Sequence, residues 1–231
     1  MKNKAYIIIQ AIFIAVVAIT GCKKDNYTAP KSYLTGHVTY QGSPVGVRSN
    51  GYASGGAQLE LWQHGYQFFT KIPVYIAFDG SYSALLFDGD YLLDRLSGAP
   101  WVNQTDSIAV HVKGNTTVDV PVTPYFFISK ATYTNTATTV TSTITYTQPS
   151  STSVLQSVVL YLSKTILVDA NYNDASLTVS PTGLTPGTPF TATINIPTSL
   201  LTAGTIYARV GIKTTGVTEL EYSAPVAIQL H

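Results

Sequence analysis

Apolar and polar side chains alternate with a period of two from residue 34 onward, and this most limits what the chain can fold into. Leu34, Gly36, Val38 and Tyr40 interleave with Thr35, His37 and Thr39, the pattern of a strand with one face in a core. The alternation returns in Ala57, Leu59 and Leu61 against Gln58, Glu60 and Trp62, then in Tyr82 to Leu86, Tyr91 to Leu93 and Ile108 to Val112. Val118, Val120 and Val122 close the series as a last strand. Asp79-Gly80, Asp88-Gly89 and Gly114-Asn115 separate these runs and are strong turn signals. No stretch of useful length beyond residue 21 has a helical period. Roughly seven short strands with regular turns predict an antiparallel sandwich over residues 32–124. The Gly- and Ser-rich stretch from Gln41 to Gly56 is expected to be one long loop.

Composition changes after Pro121 and Pro124. Residues 129–231 hold only eight charged side chains, and Thr dominates from Thr132 to Thr147. Ile144 and Tyr146, Val158 to Leu162, and Ile194 with Ile196 read as further short strands, with Pro/Gly-rich turns around Pro181–Pro189. Near the C-terminus, Ile206, Ala208, Val210 and Ile212 form the better apolar phase, which places Tyr207 and Arg209 outside that core. The expectation is an all-β protein of two antiparallel β-sandwich domains in tandem, 32–124 and 125–231. The halves do not align, so no internal repeat is assigned.

The N-terminus carries a different signal. Lys2 and Lys4 precede an apolar run from Ala5 to Ile19, interrupted by Gln10. The run is short for a membrane span but suits the core of an export signal. Ile19-Thr20-Gly21-Cys22 resembles a bacterial lipobox, which implies cleavage between Gly21 and Cys22 and acylation of Cys22. Residues 1–21 are then a lipoprotein signal peptide and 22–31 a polar tether. Cys22 is the only cysteine, so no internal disulfide can form and packed cores must supply stability. With 45% hydrophobic and 11% charged residues the chain can build them. Its 13 basic and 12 acidic residues leave it near neutrality, which argues against a nucleic-acid partner.

Leu34-Thr35-Gly36-His37-Val38, Gly42-Ser43-Pro44-Val45 and Ala57 to Leu61 resemble the carboxypeptidase-regulatory-like, or transthyretin-like, sandwich. So does Asp79-Gly80-Ser81-Tyr82-Ser83-Ala84 running into Phe87 to Tyr91. The segments Leu201 to Tyr207 and Tyr222-Ser223-Ala224-Pro225-Val226 resemble the last hairpin of fibronectin-III or immunoglobulin-like domains. The whole order resembles an uncharacterised family of two-domain Bacteroidota lipoproteins that accompany SusC/SusD-like glycan-uptake pairs. That resemblance implies an outer-membrane, cell-surface accessory with SusC/SusD-like partners and a polysaccharide ligand. It brings no catalytic residues and no cofactor.

Catalytic chemistry is thin in the sequence. Cysteine nucleophiles are excluded after lipidation. His37, His64, His111 and His231 form no zinc signature, and no serine stands in a nucleophile elbow. Asp79, Asp88, Asp90, Asp94 and Glu60 offer carboxylates for glycoside hydrolysis, but Asp79-Gly80 and Asp88-Gly89 are sufficiently explained as turns. The reading is a non-enzyme, with a structural or adhesive lipoprotein as the alternative. Trp62 shares the polar phase of its strand with Gln58 and Glu60, and with Tyr66 it forms the first candidate sugar platform; the alternative is that Trp62 packs under the Gln41–Gly56 loop or against the second domain. Trp101, in a Gly/Pro loop with Asn103, is the second; the alternative there is a loop anchor. Tyr52 lies within reach of either. Asp106-Ser107-Ile108 resembles an O-glycosylation acceptor of Bacteroidota.

Overall fold

The computed structural model describes residues 28–48, 56–65 and 70–230. Residues 1–21 (read as a signal peptide), Cys22, Tyr52 and Tyr66 therefore lie outside the described residues. The chain divides into two compact units at Pro30, and the second, Lys31–His231, holds both sandwiches.

In the first sandwich, β1 (Ser32–Tyr40) pairs antiparallel with β2 (Ser43–Pro44) and β5 (Ser81–Leu86). The facing sheet is ordered β4 (Ile72–Tyr75), β3 (Gln58–Trp62), β6 (Gly89–Arg95) and β7 (Ile108–Val112). Leu34, Val38, Leu59, Leu61, Leu93 and Val112 fill the space between the sheets. Two features depart from expectation. The stretch from Gln41 does not open as a loop: Gln41 and Gly42 both have positive φ, 50° and 78°, and close a tight β1–β2 hairpin with Tyr40 opposite Ser43. This is the primed geometry that suits strand twist.

The expected strand at Val118–Val122 is split. Thr116–Thr117 forms β8 and Val120–Pro121 forms β9, and both run parallel to β1. Between them the carboxylate of Asp119, instead of a carbonyl, accepts the His37 N–H at 2.9 Å. Pro121 has no N–H with which to extend the ladder.

The second sandwich sets β10 (Phe127–Asn135), β11 (Thr139–Thr147) and β14 (Phe190–Asn195) against a sheet of β12 (Leu155–Ser163), β13 (Ala175–Val179), β15 (Thr205–Thr214), β16 (Glu221–Tyr222) and β17 (Val226–Gln229). The Thr-rich run is thus a hairpin of two nine-residue strands. Ile206, Ala208, Val210 and Ile212 lie in the core with Val140, Ile144 and Leu160.

Arg209 projects from the opposite face of β15, as its phase requires, yet it is fully buried. Loops of the first sandwich cover it. Its Nε donates to Ser223 O at 2.7 Å, and one Nη donates to Val47 O at 3.0 Å and Phe78 O at 2.6 Å. The guanidinium lies 4.5 Å from the Tyr222 ring centre, in cation–π range. Burial lowers its pKa to about 10, partly offset by Tyr222 and Asp169 beside it, so it stays charged at neutral pH. Around it, Tyr222 donates its N–H to Gly46 O at 3.0 Å. Arg48 grips Glu219 with two bonds of 3.0 and 2.6 Å. At Gly46 a Cβ would fall 2.2 Å from Tyr222 O, so only glycine permits this approach.

Glu221 points the other way from Tyr222 and is wholly buried. Its Oε2 accepts the Ile128 N–H at 3.2 Å, and burial raises its carboxyl to about 8. The native state therefore holds a proton that the unfolded chain releases near pH 4.5.

Two outcomes are expected. Arg209→Met leaves several buried carbonyls without donors and lowers stability by about 3 kcal/mol or more, at about 1–3 kcal/mol for each orphaned group, in denaturant titrations. Stability falls as pH rises from about 5 through about 8, and Glu221→Gln flattens that slope.

Candidate functional site

Strand alternation lays out a lattice on the outer side of the β4–β3–β6–β7 sheet. Trp62 stands opposite Leu92, and Leu92 opposite Ala109. In the next row Asp90 faces His111, with Oδ1 2.6 Å from Nδ1. His64 continues the chain from Trp62 toward that row. A cleft of about 640 Å³ opens here, lined by His64, Asp90, Leu92, Ala109 and His111. Its floor is apolar and its border carries hydrogen-bonding groups. Trp62 is half-buried and is not itself part of that lining; Leu92, its partner across the register, is.

Farther along β3, Glu60 lies opposite Asp94 and Pro73, and Lys71 Nζ meets its Oε1 at 2.5 Å. Gln58 stands opposite the exposed Tyr75. Gln58 and Glu60 do not lie on an open polar face. They are 3% and 6% exposed, with Tyr75 opposite Gln58 and Lys71 paired to Glu60. Neither is placed to meet a sugar hydroxyl.

Trp101 requires a larger correction. It is 1% exposed and belongs to the first core with Leu93 and Val122. It forms a β-bridge with Pro124, while Val102 donates to Thr123 O and Tyr125 to Pro100 O. Residues 100–102 thus zip along the exit of the first sandwich, and the indole is the loop's anchor. It cannot stack on a ligand. Asn103 is exposed two residues on, but without its aromatic partner. The structure does not bring Trp101 and Asn103 to the Trp62 face.

The carboxylates considered for hydrolysis are also accounted for. Asp79 accepts from Ser81 N and Oγ, and these bonds hold its pKa below the usual value although partial burial opposes them. Asp88 accepts from Ser32 Oγ and Gly114 N. Both close turns. In the acceptor-like tripeptide, Ser107 is exposed, and Asp106 pairs with buried Arg95 at 2.7 Å. Among the described residues no three His, Cys, Asp or Glu side chains converge to hold a metal ion. Sequence reading missed Asp90, Leu92 and His111 as companions of Trp62. Strand register supplies that grouping, and one strand's alternation cannot reveal it.

Family models described as the N-terminal domain of a protein of unknown function (DUF3823), and as the domain of unknown function DUF3823_C, match residues 32–123 and 126–227. The chain belongs to the DUF3823 family. A DUF3823 protein from Bacteroides ovatus is 38% identical with a TM-score of 0.81, and one from Parabacteroides merdae is 36% identical with a TM-score of 0.80. Each match covers 87% of this chain and all of the other. A Bacteroides uniformis protein called a "putative carbohydrate binding protein" shares the fold at 19% identity and a TM-score of 0.71, with the same coverage. No curated protein matches.

If Trp101 is a core anchor, Trp101→Ala costs about 3–5 kcal/mol of stability, and Trp101→Phe distinctly less. Thermal unfolding of the two variants checks this.

Proposed function

We propose that this DUF3823 member is a lipid-anchored, non-catalytic accessory of glycan capture, displayed on the outer membrane beside SusC/SusD-like partners. The Trp62 face carries this reading. A pyranose has an apolar face of C–H groups and an equatorial rim of hydroxyls. An aromatic ring with an apolar strip accepts the first, and side-chain donors and acceptors hold the second. Trp62, Leu92 and Ala109 supply the strip, and Asp90, His111 and His64 the rim. The fold shared with the Bacteroides uniformis protein named for carbohydrate binding supports the same ligand class. The Ile19-Thr20-Gly21-Cys22 tetrapeptide supplies the anchor. The firm union of the two sandwiches suits a rigid holder more than a machine that closes on a substrate.

Native affinity electrophoresis through gels containing polysaccharides tests the reading. The protein is retarded by at least one glycan. Trp62→Ala weakens retention about tenfold, equivalent to about 1.4 kcal/mol, and leaves the melting temperature unchanged. If no polysaccharide retards the wild type, or if Trp62→Ala binds as well, the reading fails. Co-purification with a transporter then tests a purely structural role.

A further inference from the structure

Strand β1 gives the first sandwich a polarity. Its last residues, Val38 and Thr39, pair with β9, and Tyr40 meets Phe127 of the second sandwich with ring centres 5.4 Å apart. Its first residue, Ser32, follows directly on the tether. Nine residues of strand, about 30 Å at ~3.3 Å each, thus separate the tether end from the domain junction.

At the tether end the surface is unusual for so polar a protein. Tyr33 and Leu85 stand directly opposite each other on the outer face of β1 and β5 and are 46% and 47% exposed. Phe87, 36% exposed, follows Leu85 at the close of β5. Lys31 and Lys113 are exposed at the same end. The nearby carboxylate of Asp88 is engaged, accepting Ser32 Oγ at 2.5 Å and the Gly114 N–H at 3.0 Å, so it ties β1 to the β7–β8 turn. Aromatic and aliphatic side chains bordered by lysines are the chemistry of a membrane–water interface.

The geometry points to a bilayer-docking surface: Tyr33, Leu85 and Phe87 dip into the lipid surface that holds the acylated Cys22, with Lys31 and Lys113 at the anionic headgroups. The inference rests on acylation of Cys22. Residues 22–31 reach at most about 35 Å at full stretch, which limits how far this end stands from the bilayer, and β1 runs from it toward the second sandwich. An acyl anchor with a second, weaker contact fixes orientation as well as attachment.

Because Cys22 is the only cysteine and its sulfur is blocked by lipid in the mature protein, an introduced cysteine is uniquely labelled. Acylated Leu85→Cys and Tyr33→Cys proteins carrying a nitroxide are placed in phosphatidylethanolamine/phosphatidylglycerol vesicles, with Thr178→Cys on β13 of the second sandwich as control. Mass spectrometry reports acylation separately. Relaxation by oxygen rather than by a nickel chelate is expected to be several-fold stronger at positions 85 and 33 than at 178. Equal nickel access at all three positions in protein of acylated mass overturns the docking surface and leaves the anchor standing. A mature chain without acyl mass overturns both.

Discussion

The Arg209 guanidinium holds the two sandwiches in one arrangement. It belongs to the second domain by sequence, yet it donates to carbonyls of Val47 and Phe78 in the first and of Ser223 in its own. A cation withdrawn from water is costly unless every donor is used and a compensating surface lies near. Here the carbonyls, the Tyr222 ring and the nearby Asp169 provide that compensation. Moving the domains apart would expose loop carbonyls and strand the guanidinium together. The Arg48–Glu219 pair and the Gly46–Tyr222 contact flank it, so the junction is secured at three places. Such buried polar contacts select one arrangement more than they add stability.

Much of the fold was legible because each strand carries its own evidence. Leu34 to Tyr40 and Ile206 to Ile212 alternate, and Asp79-Gly80 and Asp88-Gly89 punctuate. These are local properties, decided within a few residues. What alternation could not show is what covers the outward face. Arg209 was correctly placed outside its own core, but loops of the first domain lie on top of it. Trp101 looked like a loop aromatic, and only the pairing of residues 100–102 with 123–125 reveals it as core. Asp119 divides the last strand through one side-chain hydrogen bond, a choice that the valine spacing conceals.

The candidate site shows the same boundary. Trp62 was accessible to reasoning because its strand phase opposes Leu59 and Leu61. Its neighbours come from two other strands through the register Trp62–Leu92–Ala109 and Asp90–His111. Gln58 and Glu60, on the same phase as Trp62, are enclosed, with Tyr75 opposite the first and Lys71 paired to the second. A polar residue in a central strand can be shielded by what flanks it, and an amphipathic pattern does not measure that.

The threonine-rich hairpin of the second sandwich has a consequence for resistance to proteolysis. Its hydroxyls bond sideways, as between Thr141 and Thr193 at 2.9 Å, and so give a polar surface in which Lys130 is the one basic residue. Between Lys130 and Arg209 the only basic residue is Lys164. The Lys164 N–H is held by Asp174 at 2.9 Å, and Arg209 is sealed in the junction. A trypsin-like protease meeting this domain finds long stretches of chain with nowhere to cut.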